Sequence, residues 1–177
     1  MQDLGQLFIT GIEGYSLSKE EQIFLEDENI GGVLLSSVNF EAPAQLAELI
    51  NSIQKLRDEY PLFITIDQKT LKMDYLKKHF SQFPSFRELA NLQSPKLIYE
   101  VYDIMAKEMS ACGINLCLGP VCDLHANPEN KNVYQESFGE DPQLVSKLIS
   151  ASIRGLQTKK ILSSPKYFPG HGLQHKD

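Results

Sequence analysis

Five polar residues stand at the ends of apolar runs in this 177-residue chain: Glu13, Asn39, Asp67, Asp123 and Lys166. An ionised carboxylate such as Asp67 can accept hydrogen bonds from two hydroxyl groups at once. It can equally cap backbone N–H groups where a loop begins. Lys166 is a solvated cation or, in a desolvated or cationic setting, an amine able to form a Schiff base with a carbonyl. No partner pattern in the sequence favours that second chemistry. Beyond Lys166 the chain reads KYFPGHGLQHKD, a Pro-Gly turn flanked by polar residues that include His171, His175 and Asp177. Imidazoles there would be acid–base groups near neutral pH, with His175 expected only as a terminal histidine. His79 and His125 fall on expected loops with no partner in view and read as ordinary polar residues.

The composition, 42% hydrophobic and 23% charged, is that of one globular domain with a real core. A net charge of -6 with scattered lysines excludes a nucleic-acid footprint, and no metal or organic cofactor is implied. The start, MQDLGQLFITG, lacks the charged onset and long apolar core of a signal peptide. No run reaches the roughly 20 apolar residues of a membrane helix, so no membrane partner is expected and the expected compartment is the cytoplasm. Cys112, Cys117 and Cys122 are spaced like no common zinc site and read as small buried residues.

Positioning these groups requires strands alternating with amphipathic helices. Strands are expected at Leu7–Thr10, Gly31–Ser37, Leu62–Asp67, Ile114–Val121 and Ile161–Phe168. Ser18-x-x-Glu21 has the form of a capping box and predicts a helix start. Pro43 opens a helix that buries Leu46, Leu49, Ile50, Ile53 and Leu56. Ser94-Pro95 opens another, with Leu97, Ile98, Val101, Ile104, Met105 and Met109 inward. Asp141-Pro142 starts the last, burying Leu144, Val145, Leu148, Ile149, Ile153 and Leu156. Two long polar loops, 68–93 and 124–141, follow the third and fourth strands. Such alternation means a parallel α/β sheet. The first turn lacks Gly-x-Gly-x-x-Gly, which disfavours a dinucleotide fold. Polar residues gathered after the strands favour a (β/α) barrel, of which the chain supplies about five of eight βα units.

Five ordered segments carry a resemblance: GGVLLSSVNFEAPAQLAELINSIQ, LFITIDQ, GINLCLGPVCDLHANPEN, ESFGEDPQLVSKLISASIRGLQ and KYFPGHG. They resemble glycoside hydrolase family 3, in its bacterial β-N-acetylglucosaminidase branch. The resemblance implies a TIM-type (β/α) barrel, incomplete here, with residues 1–177 as a single N-terminal portion. It implies a retaining hydrolase that removes terminal β-linked N-acetylglucosamine from peptidoglycan fragments. Such an enzyme needs one group to attack the anomeric carbon and another to protonate the leaving oxygen. By the resemblance, Asp67 and Lys166 bind sugar hydroxyls, His171 supports the Pro-Gly-His-Gly loop, and Asp177 takes the aspartate position of a histidine–aspartate acid/base dyad. The dyad histidine would fall two residues further on, and the nucleophile on a later strand.

The pattern also departs from the family. Its Asp-Gln-Glu-Gly-Gly-Arg-Val-x-Arg stretch reads DQKTLKMDY, which puts Thr70 and Leu71 at the glycines and Lys72 and Tyr75 at the arginines. Glu136 replaces the arginine before Ser-Phe-Gly, and Tyr167 replaces the histidine after Lys166. Two expectations follow: an enzyme lineage whose isolated chain is inactive, or a non-catalytic remnant that binds a sugar. In either case an open sheet is expected to associate with itself or with a complementing chain.

Overall fold

A computed structural model describes residues 4–57, 60–67, 79–127, 134 and 136–170. Five strands form one sheet in sequence order: β1 (Ile9–Gly11), β2 (Gly32–Leu35), β3 (Phe63–Asp67), β4 (Leu116–Val121) and β5 (Leu162–Lys166). The helices are α1 (Lys19–Asp27), α2 (Pro43–Gln54), α3 (Phe86–Ala90), α4 (Pro95–Cys112) and α5 (Pro142–Gln157). By contacts the chain divides into two compact units, Met1–Phe80 with Glu108–Cys117, and Ser81–Lys107 with Leu118–Asp177. Among the described residues no helix is long and apolar enough to cross a membrane.

In the first unit β1–β2 and β2–β3 pair in parallel, with Ile9, Gly32 and Phe63 in one register row. A Cβ on Gly32 would sit 2.7 Å from the Phe63 Cβ, so this row needs a glycine at its centre. Val33 and Ile64, one position along, are fully buried, as the two-residue strand period requires. They share the core with Leu46, Leu49, Ile50 and Ile53 of α2. The expected first strand moves: Leu4–Leu7 is a 3-10 turn with Leu7 exposed, and pairing begins only at Ile9. Gly5 explains the shift. It presses against the Glu28 carbonyl where no side chain fits, and its own carbonyl accepts from Phe8 N and Gly31 N.

The Ser18 capping box forms as expected. Glu21 N donates to Ser18 Oγ at 3.2 Å and Ser18 N donates to Glu21 Oε2 at 2.9 Å. Asn115, just before β4, lies beside β3 like an added strand residue. Its N–H donates to Ile64 O at 3.1 Å, its Oδ1 accepts from Ile64 N at 2.8 Å, and its Nδ2 donates to Leu62 O at 2.9 Å.

In the second unit, α3 lies inside what the sequence suggested was one long loop. Ser85 caps it, and in return Ser85 N donates to Glu88 Oε2 at 2.8 Å. The buried stripe of α4, whose residues from Glu108 onward belong to the first unit, is rotated from expectation. Ile98, Val101, Tyr102, Met105, Ala106 and Met109 are buried, whereas Ile104 is exposed. Tyr102 wins the inner position because its ring stacks on Phe86 at 5.6 Å. Gly155 of α5 meets α4 so closely that an added Cβ would lie 2.7 Å from both the Tyr102 Cβ and the Tyr99 carbonyl oxygen. β5 runs through Pro165, which is exposed and needs no donor on an outer strand.

Candidate functional site

Strand ends in each unit present the polar residues. In the first unit Asp67 is the last residue of β3 and half-buried. Asn39, one of the polar residues after the strands, is fully buried and bonded to backbone. Its Nδ2 donates to Ile12 O at 2.9 Å and Gly14 O at 3.0 Å, and its Oδ1 accepts from Ser36 N at 2.8 Å. Those bonds make it a brace for the β1 and β2 loops. Glu13 N donates to Glu21 Oε1 at 2.7 Å, which ties the β1 loop to the first turn of α1.

In the second unit the ends of β4 and β5 are tied together. Cys122 N donates to Lys166 O at 2.9 Å, and Ser163 Oγ donates to Gly119 O at 2.6 Å. Asp123 is 5% exposed, and its Oδ1 accepts from Leu124 N at 2.9 Å. The Lys166 ammonium lies 4.7 Å from the centroid of the Tyr167 ring, close enough for a cation–π attraction. Tyr167 has a φ of 66°, in the left-handed region that a bulky residue rarely adopts. Gly170 follows at φ 125°, and a Cβ there would lie 2.8 Å from Asp123 Oδ1.

The loop after β4 holds a second polar group that the sequence did not reveal. His125 lies on a loop, as expected, but is buried among neighbours that the sequence did not show. Its backbone N donates to Gly139 O at 3.0 Å, its ring meets Tyr134 edge-on at 4.6 Å, and Nδ1 is 3.6 Å from Glu140 Oε1. Arg87 of α3 donates from Nη2 to the same oxygen at 3.1 Å, with its guanidinium 5.4 Å from the Tyr134 ring centroid. Arg87 Nη1, both His125 ring nitrogens and Ser137 Oγ are buried without hydrogen bonds among the described residues. The Ser85 capping box could have placed Arg87 on a helix. Nothing local in sequence pairs it with a residue 53 positions away.

Glu136 is half-buried in this loop. His171, Asp177 and Tyr75 lie outside the described residues. Cys112 and Cys117 are buried as expected, and Cys122 is partly exposed. Among the described residues, no group of three or more His, Cys, Asp or Glu side chains could hold a metal ion.

The family model for the glycosyl hydrolase family 3 N terminal domain matches residues 2–177. The chain belongs to glycosyl hydrolase family 3. This family's N-terminal domain is a TIM-like α/β barrel, and the five strands with their helices correspond to βα units of such a barrel. A beta-hexosaminidase from Nitrosomonas eutropha is 33% identical over 180 residues, covering 98% of this chain and 51% of that protein. One from Glaesserella parasuis is 34% identical, covering 94% of this chain and 48% of its own length. The chain thus spans about half the length of these relatives. Among solved structures, a family 3 beta-N-acetylglucosaminidase from a Paenibacillus species superposes with a TM-score of 0.93 at 31% identity, over 99% of this chain and 34% of that one. NagZ from Neisseria gonorrhoeae, in complex with N-trifluoroacetyl-D-glucosamine, gives 0.84 at 31% identity, over 93% of this chain and 51% of that one.

Proposed function

We propose that this chain forms the sugar-gripping portion of a retaining family 3 hydrolase acting on terminal β-linked N-acetylglucosamine. The observation that carries the reading is the likeness to NagZ bound to an N-acylated glucosamine, with Asp67 and Lys166 each at the end of its strand. Asp67 accepts from sugar hydroxyls and Lys166 donates to them. His171 supports the loop after β5, and Asp177 is the aspartate of the acid/base dyad. A retaining reaction also needs a nucleophilic carboxylate across the sugar, roughly 5 Å from the acid. We assign that group to the portion that the relatives carry beyond the matched half. The proposed setting is the cytoplasmic recycling of peptidoglycan fragments.

The test combines calorimetry with N-acetylglucosamine and turnover of a chromogenic β-N-acetylglucosaminide. The 177-residue chain is assayed alone and mixed with the remaining half of the Nitrosomonas eutropha relative. Binding by the chain alone, with turnover only in the mixture, is the expected result. Turnover by the chain alone would place the nucleophile within these residues and sink the assignment.

A second reading, a sugar binder without catalysis, is favoured by one contact. The Lys166 ammonium faces the Tyr167 ring, where the family pattern has a histidine. Under that reading the chain binds N-acetylglucosamine and the mixture remains inactive.

A further inference from the structure

We infer that Asp123 is a positioning residue, whose buried carboxylate holds the Tyr167–Gly170 turn and thereby fixes Lys166 at the end of β5. This deepens the proposed function and rests on its assignment of Lys166 to the sugar.

The turn needs such a support. Tyr167, with φ at 66°, occupies a region that strains a non-glycine residue and persists only where the surroundings over-determine it. Three features of the second unit do so. The strand ends are joined by Cys122 N donating to Lys166 O at 2.9 Å. The Lys166 ammonium rests 4.7 Å from the Tyr167 ring centroid. The turn closes on Asp123 so tightly that position 170 has no room for a side chain, since a Cβ would stand 2.8 Å from Oδ1. Asp123 is itself 5% exposed, which is costly for a carboxylate unless its oxygens are engaged. Its Oδ1 is held by Leu124 N at 2.9 Å, so the carboxylate is a fixed wall for the turn. Asp123 therefore acts through Lys166 and need not touch the sugar.

The test uses the full 177-residue chain and reads two quantities: amide exchange at residues 166–170, and the dissociation constant for N-acetylglucosamine. Asp123→Ala, which removes the wall against Gly170, is expected to speed exchange in the turn and weaken sugar binding by about tenfold each, the scale of the backbone strain that the wall helps to hold at Tyr167. Asp123→Asn keeps an oxygen for Leu124 N and should recover most of both, a rescue that general loss of stability does not produce. Unchanged exchange at 166–170 in Asp123→Ala overturns the inference. Faster exchange in a chain whose wild type binds no sugar supports Asp123 as the turn's anchor and removes the sugar-binding reading of Lys166. If Asp123→Ala does not fold, Gly170→Ala decides. Its methyl group must push the carboxylate and the turn apart, so exchange is expected to rise at Leu124 N or across residues 166–170. Protection as in the wild type at both places overturns the inference.

Discussion

Arg87 and Glu140 meet at 3.1 Å across 53 residues of chain, and so fasten α3 to the residue just before the cap of α5. The two partners differ in burial, with Arg87 side-chain exposure at 23% and Glu140 at 64%. Losing the buried partner therefore differs from losing the exposed one. Glu140→Ala strands a half-buried guanidinium whose Nη1 is already without a partner, and is expected to cost about 1–3 kcal/mol. Arg87→Met leaves a carboxylate that water can solvate and is expected to cost within about 1 kcal/mol. Urea unfolding of both variants checks the order, and a larger loss for Arg87→Met would refute it.

Gly155→Ala is expected to lower stability by about 1–3 kcal/mol through overpacking, although alanine is the better helix former. The added methyl group has the Tyr102 Cβ and the Tyr99 carbonyl oxygen at 2.7 Å, so α4 and α5 must part. Thermal melts would detect this. A neutral or stabilising effect would mean that the two helices adjust freely.

Acid should loosen two specific contacts. For Glu21, burial pushes the carboxyl upward, but hydrogen bonds from Glu13 N, the Ser18 hydroxyl and Ser18 N outweigh it and leave it below the ordinary 4.5. Asp103 is held below 3.8, first by its hydrogen bond with Lys107 and then by Thr158. A depressed carboxyl contributes stability above its unfolded value and loses it as pH falls through its folded value. The chain should therefore lose stability below the ordinary carboxylate range, and Glu21→Gln or Asp103→Asn should flatten that limb. Ser18→Ala, which removes the cap hydroxyl, should cost about 1 kcal/mol at neutral pH. Melting curves from neutral to strongly acid pH read all three variants.

Burial raises the Cys112 thiol, with the Glu108 carboxylate adding to the effect, and burial alone raises that of Cys122. Both should react slowly with a thiol reagent at mildly alkaline pH and faster as pH rises, because the thiolate is the nucleophile. Denaturant should release fast labelling at the same pH. Rapid labelling of Cys112 in the folded chain would contradict its burial.

Where local chemistry dictated structure, the sequence was readable. Ser18 with Glu21, Pro43, Pro95 and Asp141-Pro142 each mark a helix start that the fold contains. Spacing errors arose where a distant residue decided. The apolar run at Leu7 became a turn because Gly5 packs on the Glu28 carbonyl. The inner face of α4 rotated because Tyr102 found Phe86. The α3 helix had its signal in Ser85 and Glu88, but the surrounding polar run concealed it. Asp67 and Lys166 each stand at the end of a strand, as their positions after apolar runs suggested. The Arg87, His125 and Glu140 group was illegible because its members come from separate stretches. Asn39 does follow its strand, but strand-end polarity does not separate a ligand-binding side chain from one that braces carbonyls.

Asn115 gives the pairing of β4 with β3 a check on alignment. One residue forms three hydrogen bonds to the neighbouring strand, through its backbone N–H, its side-chain oxygen and its side-chain nitrogen. A slip by one position would bring Ile114 or Leu116 to that place, and neither aliphatic side chain can answer an exposed amide. Misaligned pairings would thus leave backbone groups of the neighbouring strand unanswered. The correct alignment is selected by one amide at the threshold of the strand.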